Sequence, residues 1–153
     1  METTVAILKP DALQRGVVGE IIQRFEHKGL KLVGIKMLSA SEAILEEHYA
    51  HHKDKPFFAD LKKFMMSSPL VAMLWEGEGA VAVVRKMAGI TNGREAELGS
   101  IRGDFSISRS NNIIHVSDSV EAAKEEKVRF FGEEEVFEYE KVISTFVYGD
   151  DEG

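Results

Sequence analysis

Apolar positions along this chain keep two rhythms. Thr3–Leu8 and Leu70–Trp75 are nearly continuous apolar stretches, and the second has the pattern of a central strand covered on both faces. Between them, Val17, Val18, Ile21, Ile22 and Phe25 recur at helical spacing, and Gly29 follows Lys28 as a C-terminal cap. Leu30–Leu38 predicts a strand whose alternation changes phase near Gly34, where a bulge reconciles the halves. Ser41 caps a helix over Glu42–His51, and Pro56–Met66 predicts another. Ala80, Val81, Val83, Val84, Met87 and Ala88 return to helical spacing and stop at Gly89. Residues 91–112 have no period and are rich in Gly, Asn and Arg, the composition of a long ordered loop. Ile113–Val116 predicts a short strand, Asp118 a cap with Glu121 as its capping-box partner, and Val142–Val147 a last extended piece. The order describes an α+β layer, a sheet with helices on it.

Composition narrows the class. The 153 residues are 44% hydrophobic and 29% charged, the make-up of one globular domain over residues 1–153. Cysteine is absent, which excludes disulfides and thiolate metal sites. No apolar run approaches the ~20 residues that span a bilayer, so no membrane role and a cytoplasmic location are expected. Net charge is −7, but residues 118–153 carry 12 Asp and Glu against 4 Lys and Arg, ending in the acidic tail 149–153. No basic stripe argues for an obligatory nucleic-acid partner. The rest of the chain is left able to build a local positive site for a small anion.

The candidate chemistry centres on NNIIHVSDS, residues 111–119, which puts His115 at the tip of an apolar strand. A neutral imidazole is a good nucleophile near pH 7 when one nitrogen is bare and the other donates to a fixed acceptor. Glu126, on the flank of the following helix, is the candidate acceptor. Lys9 ends the first strand, Arg85 ends a buried helix, Thr91 follows it, and Arg102 lies in the loop. Cations and a hydroxyl around a histidine suit phosphoryl transfer, in which charge on the equatorial oxygens must be stabilised. His48, His51 and His52 sit at metal-like spacing but read as exposed helix residues. With no G-x-x-x-x-G-K-[ST] loop, phosphates would have to be held by side chains.

K-P-D at 9–11, H-Y at 48–49, K-P-F-F at 55–58, W-E-G at 75–77, R-K-M at 85–87, T-N at 91–92, I-R-G-D-F at 101–105 and the His115 segment fall in one order. In that order, from Val5 to about Tyr148, the chain resembles nucleoside diphosphate kinases. The resemblance implies a ferredoxin-like α+β fold: a four-stranded antiparallel sheet with helices on one face and a long loop, 91–112, crossing the site. It implies ping-pong transfer of a γ-phosphate to His115 and on to a nucleoside diphosphate, with broad base and sugar tolerance. Arg85, Thr91 and Arg102 would hold phosphates, Lys9 the terminal phosphate and sugar hydroxyl, Asn112 the ribose, and Phe57 would stack on the base. Tyr49 would pack by the histidine, and Glu126 with Ser117 would orient it. Mg²⁺ would arrive on the nucleotide rather than in a protein site. Dimers assembling into tetramers or hexamers are implied as well.

Four positions depart from the pattern: Val116 for Gly or Ala, Gly93 and Leu98 for prolines, and Ser100 for threonine. Val116 threatens the site only if its φ must be positive. The missing prolines should loosen the loop, so Gly93→Pro is expected to raise the melting temperature. Two other readings compete: a family-like nucleotide-binding scaffold without catalysis, and a histidine phosphocarrier fed by a protein. His115 with its full phosphate set weighs against the first, and Phe57 and Asn112 weigh against the second.

Overall fold

A computed structural model describes residues 1–152. Strand β1 (Glu2–Leu8) is followed by helices α1 (Pro10–Gln14) and α2 (Val18–His27), then strand β2 (Lys31–Leu38). Helices α3 (Glu42–His48) and α4 (Phe58–Met65) flank a 3₁₀ turn at Ala50–His52. Strand β3 (Leu70–Gly77), helix α5 (Ala80–Ala88), helix α6 (Ile101–Phe105), strand β4 (Ile114–Val116) and helix α7 (Val120–Phe130) follow, and 3₁₀ turns at Glu133–Glu135 and Ser144–Phe146 complete the order. All strand pairs are antiparallel in the order β2-β3-β1-β4.

The sheet is covered on both faces, not one. Ala6, Leu8, Met73 and Trp75 pack with Phe25, Val84 and Ile101, while Val5, Ile7, Ala72 and Leu74 pack with Leu45, Met65 and Phe130. Adjacent residues of β1 and β3 point to opposite faces, so an unbroken apolar run requires a layer on each side. Phe25 and Trp75, both fully buried, meet at 5.2 Å between ring centroids.

Local expectations divide. Gly29 follows α2 with φ +100°, and the register of β2 against β3 shifts between Leu32 and Gly34, the bulge the phase change predicts. Ser41 Oγ accepts the Ile44 N–H at 3.2 Å. The cap of α7 is Ser119, whose hydroxyl accepts the Ala122 N–H at 3.0 Å, so Asp118 lies outside the helix and Glu121 makes no capping box. The extended piece expected over Val142–Val147 is instead a 3₁₀ turn at Ser144–Phe146. Residues 91–112 do form the long connection, with α6 inside it.

Gly93 corrects the proline argument. Its N–H donates to Ser108 O at 3.1 Å, and a β-carbon there would stand 2.6 Å from Ser106 Cβ. A proline would lose the bond and meet the contact. The one non-glycine residue with positive φ among those described is Ile113 (φ 72°), so Val116 sits in β4 with ordinary dihedrals opposite Ala6.

Candidate functional site

Ile113 explains how β4 presents its histidine. The Ile114 N–H donates to Asn112 O at 2.8 Å around that positive φ, the strained form of a γ-turn. A β-branched residue adopts it at a cost of roughly 1–3 kcal/mol. Three contacts hold it: full burial of Ile113, its N–H on Asp11 Oδ2 at 3.0 Å, and its carbonyl on the Lys9 N–H at 2.8 Å. The turn carries Asn112 on one side and His115 on the other.

His115 stands on β4 opposite Ile7, with its Nε2 in a short contact with Glu126 Oε2. An ionised Glu126 makes that nitrogen the donor and leaves Nδ1 as the unengaged one, a bare lone pair. Burial, and then the positive charge of Lys9, hold the His115 imidazole below its ordinary range, so it stays neutral at neutral pH. Burial pushes the Glu126 carboxyl up, while His48, Ser117 and Arg129 work against that.

The ring packed on His115 is His48, edge to face at 4.4 Å between centroids. It is buried, contrary to the exposed position that its sequence spacing suggests. Its Nδ1 accepts from Arg129 Nη1 at 3.1 Å and lies 3.8 Å from Glu126 Oε2. Burial and the neighbouring His115 keep it neutral, with a pKa lowered to about 2. His48, His115 and Glu126 together offer a zinc-type donor set. The Arg129 guanidinium already occupies the His48 Nδ1 lone pair, and Lys9 and Arg102 add charge, so the cluster is organised by protons. Tyr49 packs on His48 at 4.6 Å and on His52 at 6.3 Å. Among the described residues its buried hydroxyl has no partner, and burial raises its pKa, so it remains a donor.

Lys9, Tyr49, Phe57, Thr91 and Asn112 all line one cleft of about 770 Å³. Lys9 Nζ donates to Asn112 Oδ1 at 2.7 Å, and Asn112 Nδ2 donates to the carbonyls of Thr91 (3.1 Å) and Arg109 (2.9 Å). Burial, and then Arg102, lower the Lys9 pKa to about 8. Phe57, a lining residue of the cleft, leaves 47% of its surface exposed. His115, Arg85 and Arg102 lie beyond its lining residues. Lys9 joins the two parts, bonded to Asn112 and acting by its charge on His115.

The arginines divide. Arg85 is half exposed and pairs with Asp118 in a short contact. Arg102 is buried and gives N–H groups to three carbonyls: Ile114 at 2.6 Å, Gly89 at 2.7 Å and Asn112 at 3.3 Å. Burial, and then Arg85, lower its pKa to about 10. Among the described residues two of its five donors stay free. Ser117 Oγ accepts the Val5 N–H at 3.1 Å, extending the β1–β4 pairing beneath Glu126. Sequence reasoning gave no site role to His48, Arg129, Asp11 or Asp118. For His48 a signal existed, since Leu45 and position 48 share a helix face.

Chemically, the arrangement is an imidazole with a bare nitrogen and a buried carboxylate behind it, beside a cationic cleft with an exposed aromatic ring. The family model described as nucleoside diphosphate kinase matches residues 2–136. A nucleoside diphosphate kinase of Crocosphaera subtropica is 51% identical over 148 residues, covering 97% of this chain and 99% of its own. One from Parabacteroides distasonis is 51% identical over 152 residues, covering 99% of each. Among solved structures, a halophilic nucleoside diphosphate kinase from Halobacterium salinarum in complex with CDP superposes with a TM-score of 0.94 at 42% identity, covering 96% of this chain and 98% of its own. A nucleoside diphosphate kinase family protein from Babesia bovis gives 0.93 at 41%, covering 97% and 100%.

Proposed function

The chain belongs to the nucleoside diphosphate kinase family and is a nucleotide phosphotransferase, and we propose that the phosphate passes through His115. The observation that carries this is the His115–Glu126 pair, which leaves Nδ1 unengaged beside a cleft with Lys9 at its junction. In the first half-reaction Nδ1 attacks the γ-phosphorus of a nucleoside triphosphate. The Nδ1–P bond forms, the bridging P–O bond breaks, and the diphosphate leaves with that electron pair. Phosphorylation makes the ring cationic, and the Glu126 carboxylate behind Nε2 compensates the new charge. The second half-reaction reverses these steps onto another diphosphate. A catalytic role accounts for the buried Glu126 better than a scaffold role, which needs no oriented imidazole.

Lys9, Arg85, Thr91 and the two spare donors of Arg102 serve the phosphates in this reading. Asn112 and Lys9 hold the ribose, Phe57 stacks on the base, Tyr49 supplies a hydroxyl and Ser117 braces Glu126. Stacking tolerates every base because each has a π-face. Mg²⁺ enters with the nucleotide as part of the substrate. Asp60 is the one carboxylate among the residues lining the cleft, too few for a protein cage. We read residues 1–153 as one such domain working in the cytoplasm. Among the described residues no helix is long and apolar enough to cross a membrane. Leu98 and Ile107 expose more than 80% of their surface, and Val142 and Phe146 90% or more. Apolar side chains left open in this way suit a homo-oligomer of dimers, a tetramer or hexamer, with no obligatory nucleic acid.

Single-turnover labelling tests the reading. Protein incubated with γ-labelled ATP and Mg²⁺ should acquire acid-labile, alkali-stable phosphate that chases into a pyrimidine triphosphate. His115→Ala should take none, and Glu126→Gln should label about 10²-fold more slowly, the order expected when a preorganised electrostatic partner of the transition state is removed. Stable label on folded His115→Ala would refute it.

A further inference from the structure

Two cations of the cleft lining, Lys55 and Arg109, have no part in the phosphate transfer, and of these only Arg109 carries a planar fork of donors. Arg109 lines the cleft together with Phe57, and among the described residues its guanidinium forms no ion pair and no hydrogen bond. Asp60, the carboxylate of the same lining, is not paired with it. Arginines elsewhere near the site are committed: Arg85 to Asp118, Arg102 to three carbonyls, Arg129 to His48.

The loop that carries Arg109 is clamped. Ser106 Oγ lies 3.0 Å from Ser108 O and 2.9 Å from Asn111 O, and it accepts the Ser108 N–H at 3.2 Å. Ser108 Oγ accepts the N–H groups of Ser110 (3.2 Å) and Asn111 (3.1 Å). The Arg109 carbonyl is held by Asn112 Nδ2 at 2.9 Å, the residue assigned to the ribose. Residue 109 is therefore fixed relative to the sugar contact and the exposed face of Phe57, while its side chain is free. Binding pays little ordering cost when the backbone presenting a donor is already set.

We propose that Arg109 reads the nucleobase stacked on Phe57 and favours guanine. This rests on the nucleotide reading of the cleft. A guanidinium presents parallel N–H donors that match the O6 and N7 acceptors of guanine. Adenine offers N7 but places an amino donor where O6 would be, and cytosine presents a donor with no adjacent acceptor pair. Base tolerance through stacking and a graded preference through Arg109 then coexist: every base is accepted, and guanine is accepted best.

Base analogues isolate the contact. Protein phosphorylated by γ-labelled ATP is chased at sub-saturating GDP, IDP, 7-deaza-GDP and CDP. In the wild type, GDP and IDP, which share O6 and N7, should react alike. 7-Deaza-GDP, lacking N7, should react about 10-fold more slowly, the low end for a bidentate pair at a solvent-open site. Arg109→Leu keeps an apolar cover over the base and removes the fork, so the gap between GDP and 7-deaza-GDP should close. A gap that persists in Arg109→Leu overturns the proposal. So does an equal loss on all four acceptors, which would mean that Arg109 acts on phosphate by charge alone. A wild type that takes no label would instead refute the transfer through His115, leaving the two failures distinct. Thermal unfolding of Arg109→Leu should match the wild type, because the replaced side chain bonds to nothing.

Discussion

Replacing Gly93 with proline should destabilise this protein, against the sequence argument that loop prolines stiffen. Proline removes the N–H that Gly93 donates to Ser108 O at 3.1 Å, a net loss of about 1 kcal/mol. The Ser108 carbonyl keeps a second partner in Ser106 Oγ, so no acceptor is orphaned and the loss stays near that figure. Steric crowding costs more. A β-carbon at 93 would lie 2.5 Å from Ser106 Oγ and 2.6 Å from its Cβ, and closer still to its carbonyl oxygen. Backbone cannot yield as a flexible side-chain tip can, and overpacking of this kind costs roughly 1–3 kcal/mol. The reduced entropy of the unfolded chain returns only about 0.4–1 kcal/mol. The balance is about 2 kcal/mol of destabilisation, or a melting temperature about 4–8 °C lower for a chain of this length. Calorimetry at equal protein concentration, without nucleotide, measures it. A melting temperature equal to or above the wild type would refute the packing argument. Activity should fall too, since Ser106 anchors the loop leading to Asn112 and Thr91 lies two residues before position 93.

Arg102→Lys should cost about 2–3 kcal/mol in urea unfolding, because one ammonium cannot reach the carbonyls of Gly89, Asn112 and Ile114 together. His48 has a lowered folded-state pKa, so the unfolded chain takes up a proton below about pH 6.5 that the native state refuses, and stability falls with acidity. Beside Arg129, His115 and Glu126, all retained, His48→Phe should make that fall shallower by about 1.4 kcal/mol per pH unit below pH 6, and an unchanged slope would count against a neutral His48. Lys9, lowered to about 8, loses its charge in the free enzyme as pH rises. ADP should then bind about 10-fold more weakly one pH unit above that value, a dependence that Lys9→Met abolishes when Kd is followed by calorimetry.

The legible parts of the fold were those decided by local rules. Helix spacing located α2 and α5, the glycine after Lys28 marked a helix end, and a parity change marked the bulge in β2. Where two neighbours could perform one task, the chain did not say which would. Asp118 and Ser119 are both good caps; Ser119 takes the extended cap position, and Asp118 is left for Arg85. The three histidines near 50 suggested one exposed face because the helix was assumed to continue. It ends at His48, and the 3₁₀ turn swings His51 and His52 away while His48 stays with Leu45. Val142–Val147 has the apolar content of a strand, yet the β2 edge beside it is already covered. Phe137 N–H, Tyr139 hydroxyl and Lys141 ammonium bond to the carbonyls of Val33, Leu32 and Leu30. The close approach of Gly93 to Ser106 is tertiary and has no signal in either segment. The candidate site was legible as a set of residue types, and its pairing was not: Arg102 looked like a phosphate ligand and is first a brace.

That double service shapes how the site works. β4 has three residues and pairs with β1 alone, too little ladder to fix a nucleophile by itself. Its position is set by side chains that, in the proposed reaction, also serve the nucleotide or the histidine: Arg102 on the Ile114 carbonyl, Lys9 and Asn112 on each other, Ser117 on Val5. Asp11 adds the bond that steadies the strained Ile113. A scaffold built from the reacting groups' own hydrogen bonds keeps those groups in place before substrate arrives, which lowers the reorganisation needed in the transition state. The same economy makes the residues unequal as probes. Removing Arg102, Asn112 or Asp11 disturbs the strand along with the chemistry. His115 and Phe57 brace no backbone, so their variants should separate nucleophile loss and base stacking from folding.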